Sequence, residues 1–252
     1  MSAAVLETRG LSKRFGGVTA TDDVSLAVRP GSCHALIGPN GAGKTTLLSQ
    51  LSGELRPTQG QVLFSGADVT GLGLAARARL GIARSFQITS VCDDFTVFDN
   101  VIVAAQAVAG HSFRIWRTAR RDERLTGPAR EALSRVGLSD AARTAAGTLS
   151  HGQRRQLELA IALCRRPSVL LLDEPMAGIG PAEADRMTAL LASLRGTYTV
   201  VLVEHDMDAV FSLADTVSVL VNGRIIASGT PEAIKADPLV REAYLGGEEL
   251  AA

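Results

Sequence analysis

Cysteine is scarce and odd in number, with only Cys33, Cys92 and Cys164. The three stand far apart and match neither a zinc-ligand spacing nor a disulfide framework, so a reducing compartment is the simple expectation. An excess of charge of either sign is lacking as well. Lys plus Arg and Asp plus Glu both number 26, which argues against a general nucleic-acid binder, because such proteins carry a basic excess. Arg114, Arg117, Arg120, Arg121 and Arg124 do form a local basic patch, but Asp122 and Glu123 interrupt it and a solvated face is expected. No apolar run approaches the ~20 residues that cross a bilayer. The longest apolar stretches, such as 169–172 and 199–203, have the length of strands. Residues 1–10 lack the basic start, apolar centre and cleavage site of a secretion signal. A cytosolic chain is therefore expected, reaching a membrane only through partners. Repeats, linkers and low-complexity segments are missing too, so the 252 residues read as one α/β domain carrying an insertion.

Strand and helix signals alternate along the chain. Residues 5–8 and 23–28 read as short strands around a Gly16-Gly17 turn, and 32–37 as an apolar strand after the Pro30-Gly31 break. A helix is predicted over 45–53, with Leu47, Leu48 and Leu51 on one face and a stop at Gly53. Residues 61–65 form another strand, and from about 88 to 167 the pattern turns helical. A parallel α/β core returns at 168–172 and 199–203. Asn222-Gly223 between two apolar runs signals a hairpin, and Thr230-Pro231-Glu232 signals a helix start.

Gly38-Pro39-Asn40-Gly41-Ala42-Gly43-Lys44-Thr45 fits G-x-x-x-x-G-K-[ST] at every fixed position. Glycines let backbone N–H groups turn inward around phosphate oxygens, and the helix that follows adds its positive dipole end. Lys44 supplies a point charge to the outer phosphates, and Thr45 offers a hydroxyl to Mg²⁺. Further on, a buried-type strand ends in Asp173-Glu174. The chain can turn at a strand end and present both acids to one site, Asp173 to the metal and Glu174 to the attacking water. The next strand ends in Glu204-His205-Asp206, which puts His205 on the sheet edge where the phosphates lie, as a γ-phosphate contact.

Phosphate loops serve many NTPases, so Leu149-Ser150-His151-Gly152-Gln153 decides the class. With Arg155, Gln156, Leu157, Ala160 and Ala162, it closely resembles the signature segment of ABC ATPases. In that family, a serine and backbone amides at a helix N-terminus face the γ-phosphate held by a partner subunit, a dipole-backed anion site. The resemblance implies an α/β P-loop NTPase core, about 1–87 and 168–252, with an antiparallel β subdomain and an inserted helical subdomain at about 88–167. It implies that Phe15 packs on adenine, that Thr46, Ser150, Gly152 and Gln153 join residues 38–45 as nucleotide contacts, and that Gln87 touches Mg²⁺ or the lytic water. The implied cofactors are ATP and Mg²⁺. Implied partners are a second ABC ATPase subunit of the same or a related chain, two transmembrane permease subunits and, indirectly, a solute-binding protein, with no nucleic acid.

Two positions depart from the pattern. His151 replaces the usual first glycine of the signature, and Gly180 stands where an aspartate is common, removing a carboxylate contact across the dimer. Within the family, the 149–153 segment, Val203-Glu204-His205-Asp206-Met207, the ending Ala243-Tyr244-Leu245-Gly246-Gly247 and the extended 114–130 stretch are similar to the ATPases of branched-chain and hydrophobic amino-acid importers. Urea-type importers and the lipopolysaccharide-export ATPase share similar tails and stay open as alternatives. So does a soluble non-transport cassette, although a chromosome-maintenance type would need long coiled coils and a translation type a second cassette.

Overall fold

The computed structural model describes residues 3–85, 91–109 and 119–245. In chain order the elements are β1 (Leu6–Phe15), β2 (Val18–Val28), β3 (Cys33–Ile37), α1 (Lys44–Ser52), β4 (Gln59–Phe64), β5 (Ala67–Asp68), α2 (Leu74–Leu80) and β6 (Ile82–Arg84). After these come α3 (Val97–Ala109), α4 (Glu123–Arg135), α5 (His151–Leu163), β7 (Val169–Asp173), α6 (Pro181–Leu194), β8 (Thr199–Val203) and α7 (Met207–Leu213). The described chain closes with β9 (Thr216–Val221), β10 (Arg224–Gly229), α8 (Pro231–Ala236) and α9 (Pro238–Leu245). An antiparallel sheet has the order β2-β1-β4-β5, and a larger one the order β10-β9-β3-β8-β7-β6.

The larger sheet is parallel from β9 to β6. Only β10 runs against its neighbour, turned back at Asn222-Gly223 with φ 48° and 80°, the backbone that a tight hairpin demands. Its central strands are buried throughout, as parallel strands covered on both faces must be. Strand alternation divides their side chains between two cores. Leu170, Leu172, Val200 and Leu202 join a cluster with α3, α4, α5 and α6. Val169, Leu171, Val201 and Val203 join Leu47, Leu48 and Leu51 of α1 and the inner face of the antiparallel sheet. The helical segment thus shares one continuous apolar core with a face of the parallel sheet.

Several elements differ from their sequence patterns. β1 and β2 are longer than the expected 5–8 and 23–28, and their pairing crosses register shifts between Thr8 and Leu11 and between Leu11 and Arg14. Irregularities of this kind break the two-residue alternation on which a strand is recognised. β5, α2 and β6 span two, seven and three residues, too few to show a period. Thr230 does cap α8, accepting the Ala233 N–H at 3.3 Å. Among the described residues no helix is long and apolar enough to cross a membrane. All three cysteines are free, and burial pushes the Cys33 and Cys164 thiols up to about 12.

β3 carries a polar residue into the core. His34 is buried, with Nε2 2.8 Å from the Ser218 hydroxyl, which in turn lies 2.9 Å from the Ser228 hydroxyl. Burial first, and the Arg29 charge second, lower its pKa from 6.5 to about 4. The folded protein therefore holds His34 neutral where the unfolded chain would protonate it. The associated stability is fully present above pH 6.5 and is lost as pH falls from 6.5 towards 4, to a total of about 3 kcal/mol. Urea unfolding at pH 7.5 and pH 5 should show wild type losing about 2 kcal/mol more than His34→Gln. Equal losses would remove His34 as the source.

Candidate functional site

Three loops meet at the carboxyl ends of adjacent parallel strands, the edge at which open α/β sheets bind ligands. The first loop leaves β3 and enters α1. Gly43, with φ 105°, caps that helix, and a Cβ there would stand 2.1 Å from the Ala20 carbonyl oxygen, so only glycine fits. The Ala42 N–H donates to the Pro39 carbonyl at 3.1 Å, and the Gly223 N–H donates to Ala42 at 2.9 Å, which ties the loop to the β9–β10 turn. Pro39, Asn40, Gly41 and Thr45 are exposed, and Thr46 is half-buried. Lys44 Nζ donates to the Gly38 carbonyl at 2.5 Å and to Pro39 at 3.1 Å, inside the curve of the loop. Burial lowers its pKa, opposed by the nearby Glu174 and Asp173.

Asp173 ends β7. Its Oδ2 accepts from Arg84 at 2.9 Å, while Oδ1 is buried with no hydrogen-bond partner. Burial raises its pKa, and Arg84 and the Thr45 hydroxyl oppose that rise. An orphaned buried carboxylate oxygen beside a threonine hydroxyl suits a hard cation. Among the described residues no three His, Cys, Asp or Glu side chains gather as a metal cage. Magnesium fits such a site, since it commonly takes one or two carboxylates and completes its shell with water and substrate phosphates. Gln87, expected to share this role, lies outside the described residues.

Glu174 is the residue at which the chain turns. Its φ of 48° is rare for a side chain of this size, and strain of this sort gathers at functional positions. The strand end thereby breaks its alternation, and Glu174 and Asp173 both lie near enough to Lys44 to act on its charge. The Glu174 N–H donates to Val203 at 2.9 Å, fastening the turn to β8. Two residues beyond the β8 end, the His205 side chain is 65% exposed, with Nδ1 3.6 Å from Glu204 Oε2. Phe15, 50% exposed beneath Lys13 Nζ at 5.2 Å, pairs with Val18, two residues from the Ala20 carbonyl packed against Gly43. Phe15, expected to pack on adenine, thus stands on a sheet that touches the phosphate loop.

The signature segment forms a capping box. Ser150 accepts the Gln153 N–H at 3.2 Å, and Gln153 Oε1 accepts the Ser150 N–H at 3.0 Å, so Gln153 is committed to shaping the helix start. Ser150 Oγ donates to Glu183 Oε1 at 3.0 Å. A Cβ at Gly152 would meet the Glu183 carboxyl at 2.5 Å, so the bare glycine makes room for that group. A carboxylate from α6 therefore lies against the positive end of α5. His151 is exposed at the first position of the helix.

Sequence reading does not single out Arg84, Glu183 or Glu204. Arg84 binds Ser49, Glu54 and Asp173 from the end of a strand too short to recognise. Glu183 looks like an ordinary acid in a helical first turn, and Glu204 like a strand-end acid. The available signal for Glu204 was an ionisable residue closing an apolar strand beside a candidate site residue. In the basic patch, Arg120 pairs with Asp99, its Nε at 2.7 Å, and Arg114 and Arg117 lie outside the described residues.

A phosphate loop, a strand-end carboxylate pair and a strand-end histidine on one parallel-sheet edge define a P-loop nucleoside triphosphatase. The chain belongs to the ABC transporter family, whose model matches residues 21–177, and it is an ATP-hydrolysing cassette of that family. A second family model, branched-chain amino acid ATP-binding cassette transporter, matches residues 224–249. The chain is 41% identical to the high-affinity branched-chain amino acid transport ATP-binding protein BraF of Pseudomonas aeruginosa, over 98% of this chain and 99% of the relative. It is 38% identical to LivG of Escherichia coli, a protein of the same description, with the same coverage. The crystal structure of the ADP conformation of MJ1267, an ATP-binding cassette of an ABC transporter, superposes with a TM-score of 0.87 at 31% identity, covering 98% of this chain and all of that one.

Proposed function

We propose that this chain is the ATP-binding and ATP-hydrolysing subunit of a multi-subunit importer for branched-chain or other hydrophobic amino acids. The observation that carries this reading is the near-full-length likeness to BraF and LivG. It favours amino-acid import over the urea-importer, lipopolysaccharide-export and soluble alternatives.

In this reading residues 38–45 and Thr46 wrap the phosphates of ATP, Phe15 packs on adenine, and Lys44 exchanges two loop carbonyls for phosphate oxygens. Thr45 and Asp173, with Gln87, would hold Mg²⁺, which would supply positive charge against the phosphates. Glu174 takes the proton of the lytic water and His205 contacts the γ-phosphate. Ser150, Gly152 and Gln153 present the α5 N-terminus to the γ-phosphate of a second cassette, the same or a related chain. The core, about 1–87 and 168–252, holds the nucleotide, and the helical part, about 88–167, brings the signature. Closure drives two membrane permeases, and hydrolysis resets them. The chain works at the cytoplasmic face, attached through those permeases, while a solute-binding protein delivers the solute.

Glu183 stands where that incoming phosphate would dock, so pairing must displace a like charge. Glu183→Gln in a Glu174→Gln background should lower the ATP concentration for pairing about two- to fivefold, the scale of a charge at a helix end. Light scattering across an ATP titration reads this directly, and an unchanged or higher midpoint would contradict it. The transport reading itself is tested in the complex reconstituted with its permeases. Leucine-loaded solute-binding protein should speed ATP hydrolysis there. A rate unchanged by every branched-chain and hydrophobic amino acid would overturn the importer reading and leave the ATPase intact.

A further inference from the structure

One carboxylate links the turn that carries Glu174 to the turn that carries His205. The Glu204 side chain is 0% exposed. Its Oε1 accepts the Met176 N–H at 2.9 Å, and its Oε2 accepts the His205 N–H at 3.1 Å. Burial raises its pKa, while the N–H groups of Met176, His205 and Asp206 oppose that rise. Pro175 has no N–H, so after the bond from Glu174 to Val203 the next backbone donor in the turn is Met176. The turn is thus pinned to β8 twice, once through backbone and once through this carboxylate. The first bond fixes where the turn leaves β7. The second holds the residue two positions past Glu174, whose own φ is 48°.

We propose that Glu204 is a positioning residue for hydrolysis, holding the Glu174 turn and the His205 turn in fixed relation across the β7–β8 seam. The inference rests on the reading of Glu174 as the base. A Gln at 204 has one acceptor oxygen in place of two, so one of the two N–H groups would face an amide donor and be left unpaired in a buried site. An Asp is one methylene shorter and cannot span both turns. Apart from His205, whose N–H Glu204 accepts, the nucleotide contacts sit on other elements and keep their places under either change. The loss therefore falls on the geometry of attack, where a displacement of about 1 Å costs up to about 100-fold.

The test is a double-mutant cycle on the full chain. Glu204→Gln should lower kcat about 10- to 100-fold with KM for ATP changed less than about twofold. In a Glu174→Gln background the same change should cost almost nothing more, because Glu204 acts through Glu174. If Glu204→Gln fails to fold, Glu204→Asp carries the cycle under the same criteria. An unchanged kcat, a loss confined to KM, or an equal proportional loss in both backgrounds would overturn the proposal. A Glu174→Gln variant that hydrolyses at the wild-type rate would instead remove the base assignment, so the two failures are told apart.

Discussion

Glu174→Gln should slow ATP hydrolysis about 100-fold or more while ATP still binds, and should accumulate ATP-bound pairs. Removing a general base costs about 10²–10⁴ in rate. The substitution keeps the size of the side chain and disturbs neither the N–H bond to Val203 nor the Glu204 bond to Met176. The turn should therefore survive, and the missing proton acceptor should account for the loss. Single-turnover hydrolysis, with size-exclusion chromatography in ATP, measures both effects. Wild-type turnover would show that the water is activated elsewhere.

Lys44→Ala should weaken ATP binding about 10- to 100-fold, corresponding to the loss of a charged hydrogen-bonding group at about 1.5–3 kcal/mol. The ammonium already sits inside the loop, donating to the Gly38 and Pro39 carbonyls. A phosphate that takes its place in those bonds meets a charge held ready, with little reorganisation. The loop itself is shaped by Gly43 against Ala20 and by Ala42 against Gly223, contacts that do not involve Lys44. Fluorescent-nucleotide titration should show the loss with the fold intact by circular dichroism. Equal affinity for the variant would mean that backbone amides alone hold the phosphates.

Much of this architecture was legible because the functional elements are local. The phosphate loop, the strand ending in Asp173-Glu174 and the Asn222-Gly223 hairpin each carry their geometry within a few consecutive residues. The expectation that the chain turns between the two acids corresponds to the positive φ of Glu174. What sequence did not reveal depends on contacts between distant segments. Glu204 meets Met176, Arg84 meets Asp173, and Glu183 meets Ser150, all across the fold. Apart from the apolar strand that Glu204 closes, nothing local separates these side chains from ordinary surface charges. The length of β1 was hidden for a related reason, since its bulges are held by pairing to β2 and β4 rather than by any run in its own residues.

A nucleotide-driven motor of this kind should bind Mg-ATP and leave the transported solute to other subunits. Titration calorimetry of the isolated protein tests it in one experiment. Mg-ATP should give a saturable heat of binding, and leucine, valine, isoleucine and urea should give none. Micromolar binding of any of these solutes would make the chain a solute receptor as well, and the absence of heat with Mg-ATP would remove the nucleotide site.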